Sequence, residues 1–364
     1  MNCHPSRAPG KLRIWQQNTR KSDTAQAEVL AAARPEDWDA LAIQEPFLDR
    51  VGNTKANRHW RVLYPSDHQR DGSSCTWSIL LINANISTDT YTQLTIHSTD
   101  ITAVRFAGEF GHLSLFNVYN DCTHNKVLFS LSSFLSSSLH LARPSPGDHM
   151  VWLGDFNRHH PLWEPVDNCH LLTPRDFIQP LLDLLSDYDM ELALPPGIPT
   201  LQTSANRWTR PDDVWRTHSD VDPIIFCDVD ASLRPSLADH LPIITEIELP
   251  VPRSSTPPSR DFRAVDWTAF SEALTEQLNS RSPAVHLTTA EAFDRKVSDL
   301  SSIIQEIVAR DDVVPLWKPC PHTKRWWNDD LKRLKAQRRR ACNQAFKHRD
   351  VPDHPSIAEA SRIP

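Results

Sequence analysis

Short apolar runs, each of a length that suits one β-strand, recur between residues 11 and 249 and restrict the fold more than any other feature of the chain. Their β-branched and aromatic content favours strands over helices. Ten such runs are predicted as strands, at residues 12–17, 41–44, 61–64, 77–82, 92–97, 102–106, 113–119, 150–153, 221–227 and 241–248. Because many strands follow one another with few helices between them, packed mixed sheets covered by helices fit better than one doubly wound parallel sheet.

Helices are predicted where apolar residues repeat every three or four positions. Three such segments lie among the strands and three follow a proline- and serine-rich stretch, at residues 25–33, 125–141, 174–185, 266–278, 289–308 and 326–346. The pattern therefore predicts four regions: an α/β domain over residues 11–249, a linker over 250–262, a helical connector with a basic last helix over 263–349, and a disordered tail over 350–364.

Composition narrows the chemistry that the chain could use on phosphates. Only 8 of the 364 residues are glycine, and neither the GxxxxGK[ST] loop nor the GxGxxG run occurs, so phosphate would have to be held by side chains or a metal ion. The net charge of −7 divides into +9 over residues 318–349 and −16 elsewhere. An acidic body repels nucleic acid, so any contact with it requires a local basic strip or a bound cation.

The cysteines and the hydropathy pattern indicate the compartment. Seven scattered cysteines without a CxxC pair make a disulfide framework or a zinc site unexpected and favour a reducing, intracellular environment. The first residues lack the apolar core of a signal peptide, and no run of 18 apolar residues occurs. We therefore expect no membrane span.

Polar side chains stand at the ends of the apolar runs, which is the pattern of a site built on a sheet edge. Hydrolysis of a phosphodiester needs a cation on the phosphate, an activated water and stabilisation of the leaving oxygen. Carboxylates and amides at strand ends could converge on one pocket rim and supply all three. The candidates are Asn18, Glu45, Tyr119, Asn120, Asp155, Asn157, Asp222, Asp239 and His240.

Several of these residues fall in short motifs whose order is specific. The motifs are QEP at 44–46, NVY at 117–119, GDFN at 154–157, an SxxD pattern at 219–222 and DH at 239–240. In this order and spacing they resemble the endonuclease/exonuclease/phosphatase superfamily, which includes apurinic endonucleases, pancreatic deoxyribonuclease and the endonucleases of LINE-type (non-LTR) retrotransposons. The resemblance covers residues 11–249.

Two longer stretches are similar to the retrotransposon branch in particular. GDFNRHHPLW at 154–163 resembles its central motif, and RWWNDDLKRLKAQRRR at 325–340 resembles the connector that leads into a reverse transcriptase. No YxDD polymerase motif occurs, so the resemblance implies an endonuclease truncated before its reverse transcriptase. A reverse-transcriptase module is the partner that a full-length element would supply, and the nucleus is the expected location.

The resemblance also implies a fold and an activity. The fold is an α/β, four-layer αββα sandwich of two mixed sheets, followed by a small helical tail. The activity is a Mg²⁺-dependent (or Mn²⁺-dependent) endonuclease that nicks one DNA strand and leaves a 3′-hydroxyl and a 5′-phosphate, with no nucleotide cofactor.

Roles for individual residues follow from the same resemblance. Asp155 would orient or deprotonate the attacking water with help from Asn157, Tyr119 would hydrogen-bond a phosphate oxygen, and His240 would contact the scissile phosphate while held by Asp222. Metal contacts are assigned to Glu45, Asn18 and Asp239; supporting hydroxyls to Thr200 and Ser219; and nucleic-acid contacts to His159, His160, Lys332, Arg333, Lys335, Arg338 and Arg339.

The chain departs from the family pattern at two positions. Ala238 stands where the family usually has serine, which removes one hydroxyl, and Pro223 follows Asp222 where a large apolar residue is usual. Two alternatives stay open: an inactive retrotransposon remnant that keeps residual nucleic-acid binding, and a phosphoesterase acting on small or lipid phosphoesters. At single positions, His159 and His160 fit packing or DNA contact better than metal ligation, and the basic helix could equally be a solvated face.

Overall fold

The computed structural model describes residues 10–69, 75–168, 170–219, 222–253, 260–262, 264–281, 289–316, 329–351 and 354–362. Contacts between Cα atoms divide the chain into two compact units. The first unit comprises Met1–Ser254 together with Asp329–Pro364, and the second comprises Ser255–Asn328. The last basic helix therefore groups with the α/β body, although the sequence pattern places it in a separate connector.

Fourteen strands are present among the described residues. They are β1 (Lys11–Asn18), β2 (Ala40–Gln44), β3 (Trp60–Leu63), β4 (Ser78–Asn83), β5 (Tyr91–Leu94), β6 (Ile101–Gly108), β7 (Gly111–Tyr119), β8 (His149–Asp155), β9 (Met190–Leu192), β10 (Leu201–Gln202), β11 (Trp208–Thr209), β12 (Asp212–Thr217), β13 (Ile224–Val229) and β14 (Ile243–Glu248). The α-helices are α1 (Asp23–Ala32), α2 (Lys126–Ala142), α3 (Arg175–Asp187), α4 (Trp267–Arg281), α5 (Ala290–Val308), α6 (Asp329–Lys347) and α7 (Pro355–Arg362).

Twelve of the strands form two six-stranded sheets. The first has the order β13-β14-β1-β2-β4-β3 and the second has the order β5-β6-β7-β8-β12-β9, while β10 and β11 form a separate hairpin. Each sheet is mixed, because β1 pairs in parallel with β2, and β7 pairs in parallel with β8, among otherwise antiparallel neighbours. The prediction of two mixed sheets is confirmed.

The two sheets bury apolar side chains against each other and against helices on their outer faces. Between the sheets lies a cluster to which β1 contributes Leu12 and Ile14 and β8 contributes Val151 and Leu153. Because side chains alternate across a strand, the intervening Trp152 packs on the opposite face with α2 and α3. Helix α1 covers the outer face of the first sheet through Val29. The layers therefore run helix, sheet, sheet, helix, as predicted.

The second unit has a small core of its own. Helices α4 and α5 enclose Ala273, Ile303 and Ile307, together with Val313 and Val314 from the segment that follows α5. Residues 254–259 of the predicted linker lie outside the described residues. Where the structure describes the chain, it contains no helix long and apolar enough to cross a membrane.

Two expectations from the sequence pattern are wrong in the first unit. The tail after residue 350 is not entirely disordered, because α7 forms there and packs on α6, burying Ile357. The pattern also missed β12, whose residues DDVWRT begin with two acids and so do not resemble an apolar run. Asp212 and Asp213 are nevertheless buried, an environment that is rare for acids and that the local sequence does not predict.

Candidate active site

The GDFN motif ends strand β8 with a backbone that only glycine allows. Gly154 has φ +149°, and a Cβ there would lie 1.9 Å from the carbonyl oxygen of Val118 on β7. This close approach lets β7 and β8 end side by side, with Tyr119 in register with Asp155. Asn157, at φ +48°, turns the chain so that its backbone N–H donates to Asp155 Oδ1 over 3.1 Å. The carboxylate of Asp155 is therefore fixed at the sheet edge.

Asn18 and Glu45 reach the same edge from the other sheet. They follow the parallel strands β1 and β2, whose ends lie together because Asn18 pairs with Gln44. The amide nitrogen of Asn18 donates to Glu45 Oε1 over 3.1 Å and to Asp155 Oδ2 over 2.9 Å. Its amide oxygen accepts the backbone N–H of Arg20 over 2.8 Å. Asn18 thus holds two carboxylates near each other through its nitrogen, an arrangement that positions ligands for a cation and leaves its own oxygen engaged elsewhere.

A buried aspartate–histidine pair completes the pocket. His240 Nδ1 lies 2.7 Å from Asp212 Oδ2, and His240 Nε2 lies 3.9 Å from Asp155 Oδ2. The hydroxyl of Thr200 donates to the same oxygen of Asp212 over 2.7 Å. Asp155, Asp212 and His240 offer ligand atoms within 4.8 Å of one another. The supporting hydroxyl assigned to Thr200 is therefore in contact with this pair.

Charge and burial act in opposite directions on the pKa of His240. Burial alone would lower the pKa of His240, but the Asp212 carboxylate and its hydrogen bond outweigh it and, with Asp155 and Asp239, raise the pKa to about 9. Burial and the Asp212 carboxylate raise the pKa of Asp155 to about 8, against the lowering effect of His240 and Asn18. A cation beside Asp155 favours its ionised form, because metal binding displaces protons from ligands.

Asp222, the predicted partner of His240, lies elsewhere. Strand β12 runs antiparallel to β8, so that Asp212 is opposite Asp155 while Arg216 is opposite Val151, toward the other end of the strand. Asp222 follows that far end, where its exposed carboxylate pairs with Arg216 over 3.0 Å. Ser219, the second predicted supporting hydroxyl, lies two residues past the same end of β12. The partner of His240 is Asp212, and neither Asp222 nor Ser219 contributes to the pocket.

The local sequence around Asp212 contains a signal that could have identified it. The run TRPDDVW places an acid directly after proline and at the start of a β-branched, aromatic segment. An antiparallel strand can enter a site with its first residue, whereas Glu45 follows the parallel strand β2 and Asp155 ends the parallel strand β8. An acid that opens a strand is therefore as good a candidate as one that ends a strand.

Tyr119 lies in an aromatic stack beside the carboxylates. Its ring is parallel to that of Trp77, with centroids 4.9 Å apart, and the ammonium of Lys21 lies 3.2 Å from the centroid of Trp77. Burial, reinforced by the charges of Glu45 and Asp155, raises the pKa of the Tyr119 phenol above its usual value. The phenol therefore stays protonated and can donate a hydrogen bond. Neither Trp77 nor Lys21 was predicted from the sequence pattern.

Asp239 and Asn157 border the pocket. Asp239 pairs with the exposed Arg20 over 3.4 Å, while its buried Oδ1 has no hydrogen-bond partner among the described residues. The side-chain nitrogen of Asn157 donates to the carbonyl of Asn120 over 2.9 Å. This hydrogen bond engages the side-chain nitrogen of Asn157, so its side-chain oxygen is available to accept a hydrogen bond from a ligand.

The histidines of the HHPLW segment pack within the fold. His159 Nδ1 lies 2.5 Å from Glu164 Oε1, and the buried Glu164 carboxylate also accepts the backbone N–H of Arg210 over 3.1 Å. The ring of His160 lies over Trp163, with centroids 5.0 Å apart. Both contacts agree with a packing role for this segment.

The basic residues of α6 divide into different environments. Arg338 contacts the hydroxyl of Ser236 and lies 3.5 Å from Glu28 Oε2. Arg333 is exposed and pairs with Asp330 one helical turn away. Lys335 and Arg339 have exposed side chains, and the side chain of Lys332 lies outside the described part of the chain.

The oxygen atoms around Asp155 suit a hard divalent cation. Glu45 and Asp155 supply two carboxylates joined by one amide nitrogen, whereas Asp239, at the border of the pocket, has a buried oxygen without a hydrogen-bond partner among the described residues. Magnesium and manganese prefer such carboxylate ligands, whereas His240 is already bonded to Asp212 through Nδ1. The carboxylates of this pocket therefore suit a divalent cation, which the buried group of Asp155, Asp212 and His240 could hold.

Comparison with known proteins agrees with this geometry. Residues 113–244 match the family model described as endonuclease-reverse transcriptase. No curated protein sequence matches the chain.

Solved structures share the fold. The endonuclease domain of TRAS1, a telomere-specific non-LTR retrotransposon, is 18% identical over 66% of this chain and 99% of its own, with a TM-score of 0.52. The AP endonuclease LMAP from Leishmania major is 11% identical over 66% of this chain and 89% of its own, with a TM-score of 0.52. The APE2 catalytic domain from Xenopus laevis is 14% identical over 67% of this chain and 94% of its own, with a TM-score of 0.50.

The predicted resemblance is thereby confirmed. The chain carries the sequence signature of the endonuclease-reverse transcriptase family over residues 113–244, on the two-sheet fold of the endonuclease/exonuclease/phosphatase nucleases and with an acidic and histidine-containing site at the edge of both sheets.

Proposed function

We propose that the chain is a Mg²⁺- or Mn²⁺-dependent DNA endonuclease. The observation that carries the proposal is the position of Asp155 between two groups. Asp155 Oδ2 accepts a hydrogen bond from the Asn18 side-chain nitrogen, which also donates to Glu45. The same oxygen lies 3.9 Å from Nε2 of His240, whose ring Asp212 holds in place. With these roles, one pocket would supply a cation site, a base for water and a cationic phosphate ligand, as phosphodiester hydrolysis requires.

Each residue has a task in this proposal. The bound cation would polarise the scissile phosphate. Glu45 and Asp155 would hold it, and Asn18 keeps the two carboxylates together. Asp155 accepts the proton of the attacking water, which the free amide oxygen of Asn157 helps to orient.

The phosphate itself is bound by donors on the opposite side. His240 carries a proton at neutral pH, because its pKa lies near 9, and its Nε2–H can donate to a phosphate oxygen. The protonated phenol of Tyr119 is a second donor, and the stack with Trp77 keeps its ring in place. Asp239 stays at the rim as a further oxygen ligand.

DNA is the proposed substrate, because the matched family is described as endonuclease-reverse transcriptase and TRAS1 as a telomere-specific non-LTR retrotransposon with an endonuclease domain. Exposed cations at the site support an anionic polymer: Arg20 borders Asp239, and Lys21 borders Tyr119 through Trp77. Arg333, Lys335 and Arg339 would add contacts to more distant phosphates. Cleavage would leave a 3′-hydroxyl and a 5′-phosphate, with the nucleus as location and a reverse transcriptase as partner.

The test is nicking of supercoiled plasmid in Mg²⁺, with EDTA as the metal control. Wild type should convert the plasmid to the open circle, and Asp155→Asn and His240→Ala should reduce the rate by at least about 10²-fold. Glu36→Gln changes an exposed acid away from the pocket and should behave as wild type. Equal rates for wild type and Asp155→Asn would refute the proposal and favour an inactive remnant. Turnover of a small or lipid phosphoester without nicking would favour the other alternative.

A further inference from the structure

Arg234 lies between the basic helix α6 and the segment that carries Asp239 and His240. Its Nε donates to the carbonyl of Ala238 over 2.8 Å, and its Nη1 donates to the side chain of Gln202 in strand β10. Burial lowers the pKa of Arg234, and the groups of α6 that act on it are Cys342 and Arg338. A guanidinium buried in this way bridges the two segments next to the pocket and is covered by α6.

The segment from Arg234 to Asp239 needs such support, because its backbone is strained. Leu237 adopts φ +64° with an exposed side chain, a conformation that a branched residue rarely takes. Neighbouring contacts hold it on both sides. The backbone N–H of Ser236 donates to Glu28 Oε2 over 2.9 Å, and Arg234 holds the carbonyl of Ala238.

Helix α6 docks on this segment through one face. Arg338, Cys342 and Phe346 are spaced four residues apart and therefore lie along one side of the helix. Arg338 contacts Ser236 and Glu28, and the ring of Phe346 meets that of Trp208 edge-on at 5.9 Å. Trp208 belongs to β11 and pairs with Gln202 of β10, so α6 contacts the segment after Arg234 directly and reaches β10 through β11.

Both segments end in the pocket. Leu201 of β10 forms a bridge with His240, and the backbone N–H of Gln202 donates to the carbonyl of Asp239 over 3.0 Å. Thr200, next in the chain, bonds to Asp212 and also accepts the backbone N–H of Leu241 over 2.6 Å at its carbonyl. A displacement of β10 or of Ala238 would therefore move His240 relative to Asp212 and Asp155.

We infer that α6 is a positioning element of the nuclease site: by closing over Arg234 and clamping Ser236, it fixes the segment that sets the place of Asp239 and His240. The inference rests on the proposed function for its catalytic consequence, but its structural content does not. It assigns Arg234 and Arg338 as positioning residues that act through Ala238, Ser236 and Gln202.

Two arginines of α6 provide a matched test in the full chain. Arg338→Glu places a carboxylate against Glu28 and Ser236, whereas Arg340→Glu makes the same charge change on an exposed position. Both variants weaken DNA attraction by charge to a similar extent. Arg338→Glu should further lower kcat for plasmid nicking by about tenfold or more relative to Arg340→Glu, because small displacements of catalytic groups slow the reaction strongly. Arg234→Lys keeps the positive charge but loses the planar guanidinium that bonds Ala238 and Gln202 at the same time. Its kcat should fall to a similar extent as that of Arg338→Glu.

A second readout does not depend on activity. The ring ¹H–¹⁵N resonances of His240, followed in ¹⁵N-histidine-labelled protein, should shift in Arg338→Glu and Arg234→Lys and stay in place in Arg340→Glu. The inference is overturned if the His240 signals are the same in the Arg338 and Arg340 variants. If they differ while wild type nicks no DNA, the positioning role stands and the proposed endonuclease activity fails.

Discussion

The imidazole of His240 is held by Asp212 through a hydrogen bond of 2.7 Å, and both side chains are almost completely shielded from solvent. A histidine that must present Nε2 to a phosphate needs such a fixed Nδ1 partner. Asp212→Asn should therefore reduce the nicking rate by roughly 10²- to 10⁴-fold while the fold is retained. Asp222→Asn is the matched control and should cut at the wild-type rate. The reverse ranking of the two variants would show that the pair has no catalytic role.

The same pair should make the stability of the protein depend on pH. The pKa of His240 is raised from 6.5 to about 9, so its proton is bound more tightly in the folded state. The resulting stabilisation, on the order of 3 kcal/mol, is complete below pH 6.5 and is lost as the pH rises toward 9. Urea unfolding in EDTA should show this fall between pH 6.5 and 9 in wild type. Asp212→Asn should show a much flatter profile over that range, and an unchanged slope would contradict the assignment.

Cation binding should release protons. Without a cation the pKa of Asp155 lies near 8, and ligation favours its ionised form. Calorimetry of Mg²⁺ or Mn²⁺ binding at pH 7 should therefore give a heat that varies with the ionisation enthalpy of the buffer. Glu45→Gln should weaken binding by about tenfold or more, whereas Glu36→Gln should not. Binding of equal strength in the two variants would remove Glu45 from the site.

Gly154→Ala should destabilise the protein, because the new Cβ would meet the backbone oxygen of Val118 at 1.9 Å and φ +149° is strained for any other residue. We expect the free energy of unfolding to fall by roughly 3 kcal/mol or more, measured by urea titration. Gly147→Ala is the control, since nothing lies within 4 Å of its added Cβ. That variant should change stability by less than about 1 kcal/mol.

Trp77→Leu should slow cleavage without unfolding the protein. The indole supports the ring of Tyr119 on one side and carries Lys21 on the other, so its loss frees the phenol to move. Single-turnover nicking should slow by about tenfold. The substrate concentration at half-maximal rate should rise, because Lys21 loses its contact with the indole ring. Trp267→Leu removes an exposed indole from the second unit and should leave the rate unchanged. A rate in Trp77→Leu equal to that control would contradict the role of the stack.

Local sequence patterns predicted the sheets well, because the strands buried on both faces are continuous apolar runs. The runs predicted at residues 77–82 and 113–119 correspond to β4 and β7 of the structure. Glu45, Asp155 and His240 were found for a related reason: each stands where an apolar run ends or begins. A strand end can be identified from the chain itself.

The contact of Asp212 with His240 and the docking of α6 could not be predicted in this way. Asp212 opens a strand that starts with two acids, and its burial depends on Thr200 and His240 from other segments. The docking of α6 depends on Arg338 meeting Glu28, which lies 310 positions away. Such contacts join distant parts of the chain, and neither periodicity nor motif spacing contains them.

Helix α6 packs on the αββα sandwich although the second unit precedes it in the chain. This affects the order in which parts of the first unit can form during synthesis. The residues from Ser255 to Asn328 are made after both sheets and before the helix that covers Arg234. At roughly 5–20 residues per second, the synthesis of these residues takes several seconds or more, and α6 can dock on the sheets only after that time. Over that time the sheets can close, while the segment before His240 still lacks its clamp. The pocket therefore gains this clamp only after both sheets are complete, and a ribosome-bound chain has the two-sheet fold before it has a finished site.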